Sequence, residues 1–336
     1  MKFSPLFWPV ELKGNIVYIL DETLLPHKLV YVKAKTYQQA VKAIKEMKTR
    51  AFGQVSLVFY TFLLVLKQNK NKKNILPVLK KTAAALNSAR PTLPFKFLTD
   101  MVLDWQAQLE IGCQRQPTDT CGVVSLTGQA QGQDLEKTIL GFLEMLKARR
   151  IQRAEEVSRI IQDKDVILTH CNVSGELPLI AEFCRKAGKH IEFYVTETRP
   201  YMQGSRLTAW ELHLAGFPVT IMTDGMVASI MSSGKITKVI VGADQLAQNG
   251  DIANKIGTYQ IALVAKHFKV PFYVLCPPPS KAKSGKDITV EIRPEKELLE
   301  YQGLRLAPYG VKGFYPAFDI TPNNLITKHF HLGIAR

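Results

Sequence analysis

Cysteine is scarce in this sequence, and acidic residues are outnumbered by basic ones. The five cysteines, Cys113, Cys121, Cys171, Cys184 and Cys276, are odd in number and fall at no CxxC or Cys/His ligand spacing in 336 residues. Neither a disulfide framework nor a zinc motif is therefore indicated, and the usage fits a reducing cytoplasm. No metal and no organic cofactor is expected. Long apolar runs are also lacking. The longest, Val55 to Leu66, has twelve residues, too few to span a bilayer, and reads as a buried core helix. The opening MKFSPLFWPVELKG has no charged start followed by a long apolar run, so no secretory signal is expected and no membrane partner. No repeat and no GxGxxG fingerprint appears, so nothing supports a dinucleotide. With 29 acidic against 44 basic residues the formal net charge is +15, which suits an anionic ligand without naming it. The run KQNKNKKN at 67–74 reads as a solvated loop, and nucleic acid is not an expected partner.

What is present is an ordinary globular balance, 46% apolar and 22% charged, which excludes disordered and coiled-coil chains. The length suggests two domains. The alternating segments NIVYILD (15–21) and KLVYVKA (28–34) predict short strands. Residues 37–110 read as helical, with Val41, Ile44 and Met47 at helical spacing and a stop near Arg90–Pro91. The Gly/Gln/Thr-rich stretch 112–134 reads as a surface loop. Residues 135–162 predict a long connecting helix. From 163 onward the rhythm changes. Short β-branched runs at 166–170, 191–197, 218–224, 238–244 and 271–277 alternate with helical stretches, the pattern of a parallel sheet covered on both faces. The expected fold is α/β: a small β-plus-helical N-terminal domain (1–134), then a Rossmann-like doubly wound parallel sheet (163–336).

Doubly wound sheets bind ligands outside the carboxyl ends of their strands. Those ends carry His170, Cys171 and Asn172; Glu197, Thr198 and Arg199; Asp224; and Asp244. Gln203, Gly204 and Arg206, and the loop with Asn254 and Lys255, follow downstream. Each has a plain structural alternative: Cys171 as a small buried hydrophobe, Asp224 or Asp244 as a helix cap, Arg199 as a surface ion pair. Their convergence on one edge marks a site without naming a reaction.

The segments ILTHCN (167–172), TETRPYMQGSRLTAWEL (196–212), the long stretch 241–274 containing NGDIANKIGTY, and YPAFDITPNNLI (315–326) resemble methylthioribose-1-phosphate isomerase. That enzyme shares a superfamily with ribose-1,5-bisphosphate isomerase and the regulatory subunits of the translation-initiation guanine-nucleotide exchange factor. In the N-terminal half, ILDETLLPHKLVYV, AIKEMKTRAFG and SARPT are similar too. The sequence departs from the family pattern at Arg50-Ala51-Phe52-Gly53, at Gln245 where arginine is usual, and at Tyr315 where asparagine is usual.

The resemblance implies an aldose–ketose isomerase of a sugar 1-phosphate, serving methionine salvage. The family's catalytic cysteine and aspartate fall on Cys171 and Asp244. Arg50, Arg90, Gln203, Asn254 and Lys255 would bind the phosphorylated sugar, in a cleft between the domains. A homodimer paired through the sheet domain is the implied assembly. Isomerases acting on 5-deoxyribose 1-phosphate or ribose 1,5-bisphosphate, and a noncatalytic ligand-sensing subunit, stand as alternatives.

Overall fold

The computed structural model describes residues 3–72, 74–90, 95–112 and 135–333. Cys113, Cys121 and all but the first residue of the expected loop at 112–134 lie outside the described residues. The chain divides into two units, one running Pro5–Arg149 and the other gathering Arg150–Gly333 with Phe3 and Ser4. The division falls inside a single helix, Leu135–Ile160.

The N-terminal unit opens with three antiparallel strands, β1 (Val10–Lys13), β2 (Ile16–Leu20) and β3 (Tyr31–Ala34), in the order β1-β2-β3. Along β2 the buried Val17 and Ile19 alternate with the half-buried Ile16 and Tyr18, the period-2 signature of a one-sided sheet. Helix α1 (Tyr37–Lys45) starts where the Thr36 hydroxyl accepts the Gln39 N–H at 3.3 Å, satisfying one orphan donor of the first turn. Helix α2 (Phe52–Gln68) contains the apolar run, and Leu57–Phe59 and Phe62–Val65 are buried. It is therefore a core helix, and among the described residues no helix is long and apolar enough to cross a membrane. Helices α3 (Leu76–Ala89) and α4 (Phe95–Gly112) follow, so Gly112 ends a helix rather than opening a loop. Phe59, Trp105 and Phe142 form an aromatic cluster with centroids 5.0–6.3 Å apart. Phe142 comes from α5 (Leu135–Ile160).

The second unit is built on six parallel strands: β4 (Val166–Thr169), β5 (Glu192–Thr196), β6 (Val219–Met222), β7 (Lys238–Gly242), β10 (Phe272–Cys276) and β14 (Lys328–His331). Their order is β14-β10-β7-β4-β5-β6, and every pairing is parallel. Three central strands carry apolar residues on both faces: Ile167 and Leu168, Val239–Val241, and Val274 and Leu275 are all buried. Helices α6 (Glu176–Lys186), α7 (Ala209–Leu214), α8 (Val227–Ser232) and α9 (Thr258–His267) fall between strands. Ile261, Ala262 and Ala265 of α9 and Val227 and Met231 of α8 pack with Leu168, Val239, Val241 and Val274 in one core cluster.

The chain lays β4, β5 and β6 outward in one direction. It then returns to β7 on the other side of β4 and continues through β10 to β14. The reversal lies between β4 and β7, and at such a switch point the two adjoining loops leave in opposite directions and open a crevice. A second small sheet stands at this edge. Its strands are β8 (Gln245–Leu246), β9 (Ile252–Lys255) and β13 (Phe318–Thr321), antiparallel, in the order β13-β9-β8. Two further short strands, β11 (Glu300–Tyr301) and β12 (Leu304–Arg305), make a hairpin.

Candidate active site

Cys171 follows β4 immediately. Its φ is +63°, a left-handed conformation costly for a residue with a side chain and often found at functional sites. The backbone is held on both sides. Its N–H donates to Thr198 Oγ1 at 2.9 Å, and its carbonyl accepts the Thr208 hydroxyl at 2.5 Å. The next side chain, Asn172, donates from Nδ2 to Thr208 Oγ1 at 2.9 Å and to Glu211 Oε1 at 2.8 Å, and its Oδ1 accepts the Ser174 N–H at 2.9 Å. The half-buried Cys171 is thus carried on a rigid turn.

Thr198 is itself clamped. Asp224, which follows β6, accepts the Thr198 N–H at 2.8 Å through Oδ1 and the Arg199 N–H at 2.7 Å through Oδ2. Asp224 is therefore a positioning group for the loop after β5. Arg199 is spent locally, donating to the Pro200 carbonyl at 3.1 Å and the Leu298 carbonyl at 2.8 Å. Burial and the nearby Asp224 charge push the Glu197 carboxyl up from its ordinary value, while Arg199 partly offsets them.

His170 ends the same strand but is occupied by the fold. Its Nε2 lies 2.9 Å from the Ile256 carbonyl and its Nδ1 2.6 Å from Thr196 Oγ1. A carbonyl can only accept, so Nε2 carries the proton and Nδ1 accepts the Thr196 hydroxyl. Burial lowers the imidazole pKa, against the Asp224 charge that favours protonation.

Asp244 lies just beyond β7, half-buried, with its N–H donated to the Ala253 carbonyl at 2.9 Å. Because β4 and β7 are neighbours, Cys171 and Asp244 leave the two strands that border the switch point. Strand β9, which pairs with β8 just after Asp244 and with β13 on its other side, carries Asn254 and Lys255, both buried. Asn254 Nδ2 donates to Thr258 Oγ1 at 2.9 Å, and Lys255 Nζ donates to the Ala317 carbonyl at 3.0 Å. The Lys255 ammonium also stands 4.9 Å from the Phe318 ring centroid and 5.9 Å from that of Tyr201. Gln203 is buried where a π-type turn, Gly204–Thr208, begins. Only glycine serves at 204, where a Cβ would lie 1.7 Å from the Thr196 carbonyl oxygen.

Arg50 and Arg90 belong to the N-terminal unit. The Arg50 Nε is 3.4 Å from Glu22 Oε2, and Glu22 Oε1 also accepts the Arg50 N–H at 3.0 Å and the Thr49 hydroxyl at 2.5 Å. Burial raises the Glu22 pKa, and the Arg50 guanidinium offsets part of that. Arg90 donates from a terminal nitrogen to Gln54 Oε1 at 3.3 Å, while Gln54 Nε2 donates to the Thr49 carbonyl at 2.9 Å. Gln54 thereby links the two arginine-bearing segments.

Further residues beside the site were given no role by the sequence. Glu176, at the start of α6, is 2.8 Å from Arg150 Nε and 2.6 Å from an Arg153 terminal nitrogen, and all three are buried. Asp319 accepts the Gly257 N–H at 2.7 Å and the Tyr259 N–H at 3.1 Å at the start of α9. Tyr315 is 2% exposed. Among the described residues no cluster of three His, Cys, Asp or Glu groups could hold a metal ion.

Comparison with known proteins agrees with this architecture. The chain is 35% identical over 340 residues to the methylthioribose-1-phosphate isomerase of Desulforudis audaxviator, covering 97% of this chain and 92% of that one. It is 36% identical over 324 residues to the 5-deoxyribose 1-phosphate isomerase of Clostridium botulinum, covering 92% and 88%. The crystal structure of 5-methylthioribose 1-phosphate isomerase from Pyrococcus horikoshii superposes with a TM-score of 0.80 at 27% identity, over 98% of this chain and 93% of that one. The delta subunit of translation initiation factor eIF-2B from A. fulgidus superposes with a TM-score of 0.78 at 30% identity, over 97% and 94%. The model of the initiation factor 2 subunit family matches residues 54–331, and the chain belongs to that family.

Proposed function

We propose that this protein is a sugar-phosphate aldose–ketose isomerase acting on 5-methylthioribose 1-phosphate or its close analogue 5-deoxyribose 1-phosphate, with Cys171 and Asp244 as its acid/base pair. The observation that carries the reading is the placement of these two groups on the loops leaving β4 and β7, at the reversal of strand order. Relatives named for both reactions, each more than 30% identical over nine-tenths of this chain, support it.

The chemistry follows from the substrate class. A sugar phosphorylated at carbon 1 presents no free aldehyde, so the ring must open while the phosphate stays on. Asp244, as a carboxylic acid, protonates the ring oxygen as its bond to carbon 1 breaks. Cys171, as thiolate, removes the proton from carbon 2, and an enol forms between carbons 1 and 2. The Cys171 thiol, which exchanges its proton with solvent, then delivers a proton to carbon 1. The Asp244 carboxylate takes the hydroxyl proton of carbon 2, leaving a ketone there and both groups in their starting states. Each step moves a proton between groups of suitable range, so the scheme calls on no metal or organic cofactor. Arg50, Arg90, Gln203, Asn254 and Lys255 are assigned to substrate binding.

The test is turnover of each sugar phosphate by the purified protein, followed as ketose. Cys171→Ser should lower kcat by about 100-fold or more, the usual worth of one acid/base group. Cys184→Ser is the control, since Cys184 is buried in α6, where burial pushes its thiol up to about 11. In D2O the proton route exchanges label into carbon 1 of the ketose. A noncatalytic role is the second reading, favoured by the similarity to the eIF-2B delta subunit. Ligand binding without turnover by the parent protein would select it.

A further inference from the structure

The segment Tyr315-Pro316-Ala317 borders the site described above. The Ala317 carbonyl receives the Lys255 ammonium at 3.0 Å, and the Ala317 N–H donates to the Glu291 carbonyl at 2.8 Å. Tyr315 is anchored by its own carbonyl, which accepts the Arg293 N–H at 2.8 Å. Its ring meets Tyr201 edge-on, with centroids 6.0 Å apart. Tyr201 in turn lies under the Lys255 ammonium, three residues after the Thr198 that holds the Cys171 backbone.

The two tyrosines differ in one respect. The Tyr201 hydroxyl is bonded within the protein, to the Glu297 carboxylate and to Arg293, whose terminal nitrogen is 3.1 Å away. The Tyr315 hydroxyl is buried and has no hydrogen-bond partner among the described residues. A buried hydroxyl left unbonded destabilises the fold, so its retention asks for a reason. The small hydroxyls of Thr169 and Thr321 are in the same state, but each sits within a strand. Tyr315 is a long side chain on a loop at the site, and Cys171 is among the charged groups that act on its hydroxyl. Burial is the largest cause of the rise in its pKa, so the phenol stays neutral and keeps its proton to donate.

We propose that Tyr315 is a substrate-contacting residue whose hydroxyl donates a hydrogen bond to an oxygen of the bound sugar phosphate on the Cys171 side of the site. This rests on the sugar-phosphate reading. The ligand supplies the acceptor that the protein withholds, so binding exchanges an unsatisfied donor for a satisfied one. A site that holds a donor for a ligand oxygen rejects ligands lacking that oxygen more sharply than an apolar pocket does.

The experiment compares the parent protein with Tyr315→Phe and Tyr201→Phe. Melting temperatures are measured, and kcat and KM are determined for 5-methylthioribose 1-phosphate and 5-deoxyribose 1-phosphate. Tyr315→Phe removes only the unbonded atom. Its melting temperature should equal or exceed that of the parent, while KM rises at least tenfold for the better substrate. Tyr201→Phe breaks a bonded network and should melt lower. Unchanged kinetics of Tyr315→Phe in an active protein overturns the assignment alone. A lower melting temperature with unchanged KM gives Tyr315 a structural role and also overturns it. If the parent neither binds nor converts either sugar phosphate, the sugar-phosphate reading falls and the assignment falls with it.

Discussion

Gly257 lies so close to the His170 imidazole that a Cβ at position 257 would stand 3.1 Å from Cε1 and 3.2 Å from Nε2. The ring cannot move aside without losing its bonds to Thr196 and the Ile256 carbonyl. Gly257 also has φ +104°, a backbone region that side chains rarely adopt. Gly257→Ala should therefore cost about 1–3 kcal/mol in backbone strain, before any loss from displacing the ring. Urea unfolding measures it. An unchanged midpoint would mean that the close approach is not needed.

Asp319 gives the site unit a pH signature. Burial pushes its carboxyl up to about 6, against the Gly257 and Tyr259 N–H groups and the Lys255 charge, which favour ionisation. The unfolded carboxyl titrates near its ordinary value of 3.8, so between these values the folded state binds more protons. Stability contributed by this group is present below the unfolded value and is lost as pH rises through the folded one. The effect is on the order of 3 kcal/mol. Asp319→Asn should flatten the fall in stability between about pH 4 and pH 6 relative to the parent. Melting curves across that range decide it, and parallel curves for parent and variant would remove the claim.

The central strands were legible because burial on both faces writes continuous apolar runs, as at Val239–Val241 and in Ile167 and Leu168. The edge strand β14, Lys-His-Phe-His, and the β8–β9–β13 sheet were not. Ile-Ala-Asn-Lys is buried throughout, yet half its residues are polar, and its partner β13 begins 63 residues after Lys255. No local pattern encodes such a pairing. The strand ends named Cys171 and Asp244, since topology alone locates a switch point. The work of His170, Asp224 and Arg199 was hidden, because it depends on which backbone groups come to face them. The unbonded state of the Tyr315 hydroxyl is visible only once its neighbours are in place.

Glu176 holds two guanidiniums inside the protein, directly after the turn that carries Cys171. Burial acts to raise its pKa, but the Arg153 and Arg150 charges overcome this and hold it below the ordinary carboxylate range. Its stabilisation is present above the unfolded pKa and is lost as pH falls through the folded one. Glu176→Gln leaves Arg150 and Arg153 buried without their counter-charge. A loss of about 3–5 kcal/mol is expected. Denaturant titration at pH 7 measures it. A loss below about 1 kcal/mol, the range of exposed pairs, would show that water reaches the arginines.

Arg90 separates support of the fold from recognition of phosphate. Its guanidinium is tied to Gln54 at 3.3 Å, and Gln54 is tied to the Thr49 carbonyl beside Arg50. The planar fork matches phosphate oxygens two at a time, and lysine does not reproduce that geometry. Arg90→Lys should therefore weaken binding of 5-methylthioribose 1-phosphate although the charge is kept, and Arg90→Ala should weaken it by about 2–5 kcal/mol. Unphosphorylated methylthioribose should bind the parent poorly and be nearly indifferent to both changes. Calorimetry with both ligands on all three proteins reads the difference. Equal losses for the two ligands would mean that Arg90 holds Gln54 and the helix end in place, and that phosphate is recognised elsewhere.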